Sequence, residues 1–284
     1  MSLVENTAKR KMQAGGVALG FGVHHLRTAA VPMLAKASGH DWIFIDTEHG
    51  AFSIQEATQL CLAALPHGIT PIVRICAGAL DEGTRALDNG ALGIVVPHVE
   101  TAKEARRIVE AFRYPPDGHR SWGGPPAAYG YQPPPVAEAQ SALNKEILIV
   151  AMIESPEAVA NADAIAAVEG IDVLLMGTSD LTAEVGISGQ LGHARVIAAY
   201  QAIIDAARKH GKFSGMGGVY DVENSRRYIS MGAQFILSGA DHSYVMAGAK
   251  ARTDFLRTIE PASVTGDAPA KAAAEPKKKG KAKK

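Results

Sequence analysis

Only two cysteines occur in 284 residues, Cys61 and Cys76. That excludes a disulfide framework, and neither thiol has the neighbour spacing of a zinc site. Both read as free thiols, and a reducing cytoplasm is the expected location. No run of about 18 apolar residues exists, so no transmembrane helix is predicted. No signal-peptide core is expected either, because Lys9, Arg10 and Lys11 run into a short Gly-rich stretch. Net charge is also missing, though it is unevenly spread. Residues 261–284 hold seven Lys against Asp267 and Glu275, or +5, while 1–260 keep 22 basic against 27 acidic residues, or −5. The body therefore presents no basic face, and no nucleic-acid partner is expected. The Ala/Lys/Pro stretch 261–284 has no apolar period and reads as a disordered, solvated tail.

A phosphate-binding glycine turn is missing as well. Gly20-Phe21-Gly22-Val23-His24-His25 matches Gly-x-Gly only, which is a poor nucleotide fingerprint. What is present is a recurrence of short apolar runs at 17–22, 42–46, 71–75, 92–96, 147–153, 172–176, 213–217 and 234–238. They are almost wholly apolar, as strands buried on both faces of a parallel sheet should be. Between them lie helical stripes. Ala102, Ala105, Ile108, Val109 and Phe112 share a face after Thr101; Ala57, Leu60, Cys61 and Ala64 do so after Ser53; Val196, Ile197, Tyr200, Ile203 and Ala207 do so at 194–209. Gly39, Gly68, Gly90, Gly170, Gly211 and Gly232 each stand where a helix must stop before the next strand. Eight β/α alternations favour one closed (β/α)8 TIM barrel over 1–260, with 261–284 as tail. The Pro/Gly-rich stretch 113–146 is predicted as one long loop, a lid or a subunit contact.

In such a barrel the chemistry collects at the C-terminal tips of the strands. Those tips carry Asp46-Thr47-Glu48-His49, Arg74, His98, Glu154-Ser155 and Gly177-Thr178-Ser179-Asp180, with His24 and His25 after the first strand. Glu154 and Asp180 follow apolar strands, where an acid must be paired, protonated or bound to metal. Two carboxylates suit a hard divalent cation; equally, Ser155 and Asp180 sit where helix caps belong. Arg74 can pair with a core acid or hold a substrate carboxylate or developing oxyanion. His49 is the best candidate base, with Asp46 and Glu48 beside it in sequence. His24, His25 and His98 are weaker candidates.

These residues resemble a known family. Phe44-Ile45-Asp46-Thr47-Glu48-His49-Gly50, Val73-Arg74, Leu87-Asp88-Asn89-Gly90-Ala91, Val96-Pro97, Tyr114-Pro115-Pro116-Asp117-Gly118-His119-Arg120, Met152-Ile153-Glu154 and Gly177-Thr178-Ser179-Asp180-Leu181 follow one another as in the HpcH/HpaI aldolases. The resemblance spans most of 10–255. It implies a barrel, a divalent metal (Mg²⁺, Mn²⁺ or Co²⁺), and a hexamer whose terminal helices exchange between partners. It also implies reversible aldol cleavage to pyruvate and an aldehyde. Carried over by position, Glu154 and Asp180 would bind the metal and Arg74 would stabilise the enolate or alkoxide. His49 would be the base, and Asp88 would raise its basicity. Met152, Gly177, Ser179 and Asp180 would line the substrate, the N–H groups near Ser179 receiving its carboxylate.

Three departures bear on the substrate. Met152 stands where many members have Gln, Gly20 where some have a bulky aromatic, and His24-His25 where they have small hydroxyl residues. Two further readings remain: a lyase of CoA thioesters, which needs a basic patch that the rim lacks, and a barrel that has lost catalysis and serves in binding or assembly.

Overall fold

Each predicted apolar run is a strand, displaced by at most two residues. In the computed structural model, which describes residues 2–261, the strands are β1 (Ala18–Val23), β2 (Trp42–Asp46), β3 (Thr70–Arg74), β4 (Gly93–Val96), β5 (Leu148–Ile153), β6 (Val173–Gly177), β7 (Phe213–Gly217) and β8 (Phe235–Ala240). They pair in order, all parallel, and β8 returns to β1 to close the barrel. The helices are α1 (Thr7–Gln13), α2 (Ala30–Ala37), α3 (Ile54–Ala64), α4 (Leu80–Asp88), α5 (Ala102–Phe112) and α6 (Val136–Glu146). After β5 come α7 (Pro156–Ala160), α8 (Ala162–Ala166), α9 (Thr178–Glu184), α10 (Ala194–Lys209), α11 (Val222–Met231) and α12 (Asp241–Arg257). The predicted tail lies, Pro261 aside, outside the described residues.

Local chemistry explains the helix ends. Ser53 and Thr101 each accept the N–H three residues on, and Glu56 and Glu104 reach back to close full capping boxes. All six glycines expected to stop helices have positive φ, where a side chain would be strained.

The side chains form two layers. Inside the barrel, alternate strand residues meet: Trp42 and Phe44, Ile72, Leu148 and Val150, Val173 and Leu175, and Phe235, with Ala8 and Met12 of α1 closing the bottom. Trp42 stacks on Phe235 with ring centres 3.9 Å apart. Gly20 is what admits this pair, because a β-carbon there would stand 2.3 Å from the indole. The opposite strand faces bury Ile43, Ile45, Val73, Ile94, Ile149 and Leu174 against the helices.

The 113–146 segment differs from the loop predicted for it. It contains α6, and Tyr114, Ala127, Ala128, Tyr129, Ala139 and Leu143 form a small core of their own with Leu65 and Leu92. Ala139 and Leu143 are spaced four apart and face one side, a helical stripe that the neighbouring prolines obscure. The compact barrel unit runs, among the described residues, from residue 2 to Val245. A second unit begins at Met246; its described part includes the later turns of α12 and exposes Met246, Phe255, Leu256 and Ile259.

Candidate active site

Three inward rows of the barrel end in charge. Trp42-Phe44 ends in Asp46, Ile72 ends in Arg74, and Val150-Met152 ends in Glu154. The period of two along a strand brings these ends to one place. Asp46 and Arg74 are register partners across β2 and β3. Arg74, with the tips of β5 and β6, borders a cavity of about 210 Å³ whose lining includes His24, His49, Met152, Glu154, Gly177, Ser179, Asp180 and Tyr220. It opens at the C-terminal ends of the strands, where barrels of this kind place their chemistry. A larger cavity of about 570 Å³ lies at the opposite end. Its charged residues pair with each other, Lys9 and Arg113 both on Asp172, as suits a structural face.

Arg74 is held rigidly. Its Nε and Nη2 donate to the two oxygens of Asp46 at 2.9 and 2.6 Å, and Nη1 lies 3.0 Å from Glu48. Its guanidinium also faces the Phe44 ring, at 5.2 Å, and reaches the Met152 sulfur at 4.0 Å. Asp46 is wholly buried. Burial alone would raise its titration point. Donation from His24 and Arg74 outweighs that and holds the carboxyl well below the usual range.

Glu154 is buried too, and its Oε1 accepts the His98 N–H at 2.7 Å. His98 sits at φ +52°, a backbone strain that brings this N–H and its ring, 3.2 Å away, to the carboxylate. Burial, with Asp180 and Glu48 nearby, pushes the Glu154 carboxyl up to about 7 against the His98 bond. A β-carbon on Gly177 would lie 2.5 Å from its Oε2, so glycine keeps the space beside this carboxylate open.

Ser155 caps α7, as expected. Asp180 does not cap α9; it lies in that helix's first turn and lines the cavity, while Gly177 holds the cap position. Glu48 and Glu154 thus place negative charge beside Arg74, and Asp180 adds its own beside Glu154. Such a donor set fits a hard cation. No group of three or more His, Cys, Asp or Glu is gathered as a coordination shell among the described residues, so the protein ligands offered to a cation here are the two carboxylates of the lining, Glu154 and Asp180.

Two sequence expectations sit differently. His49 lines the cavity, but its side chain is 64% exposed and its acidic neighbour Glu48 is 3.9 Å away. Asp46 bonds the His49 backbone N–H, at 3.2 Å, and gives its side-chain reach to Arg74 and His24 instead. Among the described residues of this single chain, Asp88 is not brought to His49. It ends α4 and is bound by Arg120 at 2.6 Å, away from the cavity lining. Sequence reasoning passed over Tyr220 and the bond between His24 and Asp46, which no local pattern announces.

The sequence matches the HpcH/HpaI aldolase/citrate lyase family over residues 25–247. The chain belongs to this family. Among its relatives is a 4-hydroxy-4-methyl-2-oxoglutarate aldolase of Hapsidospora irregularis, 36% identical over 88% of this chain and 94% of that one. A hydroxypyruvate/pyruvate aldolase of Sagittula stellata is 34% identical over 89% and 98%. Among solved structures, an HpcH/HpaI aldolase from Desulfitobacterium hafniense superposes with a TM-score of 0.84 at 29% identity, covering 89% and 97%. As a member of the HpcH/HpaI family the chain is an enzyme, an aldolase-type lyase, and its fold is the family's barrel.

Proposed function

We propose that this enzyme is a divalent-metal-dependent pyruvate aldolase. It reversibly cleaves a 4-hydroxy-2-oxo acid to pyruvate and an aldehyde or ketone, and it decarboxylates oxaloacetate. The observation that carries the reading is the meeting of Glu154, Asp180 and Arg74 around one cavity.

Glu154 and Asp180 would hold the cation, Mg²⁺, Mn²⁺ or Co²⁺; when bound, it polarises the keto group and offsets the charge that develops on it. Arg74, locked on Asp46, presents a fixed positive charge that needs no rearrangement as an enolate forms. Gly177 leaves the substrate room beside Glu154. The N–H groups at Ser179, opening α9, suit the substrate carboxylate. Met152 gives this half of the cavity a soft, apolar wall. His49, which lines the cavity with an exposed side chain, would move protons between the site and solvent.

The resemblance also supports a cytoplasmic homo-oligomer, a hexamer, and the large apolar side chains exposed on Met246–Ile259 are consistent with a protein partner. No described helix is long and apolar enough to cross a membrane.

The test is metal-dependent turnover. EDTA should abolish pyruvate release from a 4-hydroxy-2-oxo acid and from oxaloacetate, and Mg²⁺, Mn²⁺ or Co²⁺ should restore both. Pyruvate release untouched by chelation would overturn the reading.

A further inference from the structure

Two imidazoles line the cavity, and only one is oriented. His24 Nδ1 lies 3.0 Å from Asp46 Oδ2, and its side chain is 21% exposed. Asp46 already receives Arg74 and the N–H groups of Glu48 and His49, so it acts purely as an acceptor. The hydrogen of a neutral His24 must then sit on Nδ1, and Nε2 carries the lone pair. Among the described residues, no protein group bonds Nε2. The ring is held from behind as well. His242 packs edge-on against it at 5.4 Å, and the His24, His25 and Leu26 N–H groups converge on the buried Asp241. A buried carboxylate, an imidazole of fixed tautomer and a free lone pair at a cavity wall form the arrangement that accepts a proton from a hydroxyl. Among the described residues, the nearest acidic group to the His49 ring is Glu48 at 3.9 Å, which does not fix its tautomer.

We infer that His24, oriented by Asp46, is the base that takes the C4 hydroxyl proton of the substrate in the cleavage direction and returns it in the aldol direction. This rests on the aldolase reading above. In cleavage the hydroxyl proton passes to His24 Nε2, and the C4–O bond becomes the carbonyl of the departing aldehyde or ketone. The C3–C4 electron pair stays with the pyruvyl half as its enolate. The enolate takes a proton at C3, supplied through water at the mouth, and His24 releases its own to solvent. Atoms and charge balance to pyruvate plus aldehyde or ketone. Asp46 is a positioning residue in this scheme.

Oxaloacetate decarboxylation separates this assignment from the reading it rests on, because it reaches the same enolate with no hydroxyl to deprotonate. His24→Ala and His24→Asn, the latter keeping an amide donor toward Asp46, are compared with His49→Ala in both reactions of the metal-loaded enzyme. The expected result is a fall in retro-aldol kcat of about 10²–10⁴-fold in both His24 variants, with oxaloacetate turnover reduced far less. Added imidazole should restore part of the retro-aldol rate of His24→Ala. Equal losses in the two reactions without imidazole rescue would overturn the assignment, as would a selective loss confined to His49→Ala. Wild-type protein that turns over neither substrate would sink the aldolase reading itself, and the assignment with it.

Discussion

Asp46 and Arg74 face each other across β2 and β3 as register partners, and the guanidinium grips both carboxylate oxygens. The pair is buried, so its two halves depend on one another. Removing one partner leaves an uncompensated charge that costs about 3–5 kcal/mol, whereas exposed pairs are worth little.

Asp46→Asn should therefore destabilise the fold at neutral pH, and the penalty should depend on acidity. The folded carboxyl titrates below its ordinary value, which is about 3.9 in an unfolded chain. A lowered carboxyl contributes stability that is present above the unfolded value and lost as pH falls toward the folded one. Urea midpoints of wild type and variant should stand apart at pH 6 and converge as pH falls from about 4. A gap that stays constant down to pH 3 would contradict the account.

Gly177→Ala should impair metal binding and turnover together. The added carbon would come within 2.5 Å of Glu154 Oε2 and 2.8 Å of its β-carbon, so the carboxylate must shift. Mn²⁺ titration should show affinity weakened by about tenfold or more, the scale seen when a ligand's supporting contacts are lost. Unchanged Mn²⁺ affinity would show that Glu154 does not need its present position.

Asp88→Ala should cost stability through Arg120, whose side chain is 1% exposed. Arg120 lies over the Tyr114 ring at 4.6 Å, and its Nε and Nη1 have no hydrogen-bond partner among the described residues. Asp88 is its counter-ion. Because Asp88 is itself part-exposed, the loss should be about 2 kcal/mol, below the range for a fully buried pair. The double variant Asp88→Ala/Arg120→Met should recover most of it, as a double-mutant cycle of denaturation midpoints would reveal. Additive losses would mean that the two side chains act independently.

Gly20→Ala should overpack the barrel interior. A β-carbon 2.3 Å from the Trp42 ring forces the Trp42–Phe235 stack to move, at about 1–3 kcal/mol. Thermal unfolding should fall by several degrees, and Trp42→Leu in the same chain should relieve part of the loss. A Gly20→Ala variant as stable as wild type would show that the stack yields freely.

Much of this was legible in the chain itself. Apolar runs such as Leu148–Ile153 can be buried on both faces only in a parallel sheet, and eight of them with helices between leave few alternatives to a closed barrel. The caps at Ser53 and Thr101 need only neighbours three residues away, so local sequence announces them. Period-two alternation puts Met152 and Glu154 on one face of β5, and a polar residue ending an apolar row is conspicuous. The family motifs then supplied Asp88, which local reading takes for a helix-end residue, as the end of α4 it is.

The sequence by itself determined the strands, the helix ends and the list of polar residues at the strand tips, because each depends on the chemistry of residues close together in the chain. Only the tertiary structure decided how those polar residues are shared out. Asp46 stands three residues from His49, yet its carboxylate binds Arg74, 28 positions on, and His24, 22 positions back. Asp88 went to Arg120, and 113–146 became a packed segment around α6. A carboxylate's partner is set by barrel register and closure, which bring distant tips within 3 Å of one another, and sequence distance carries no measure of that.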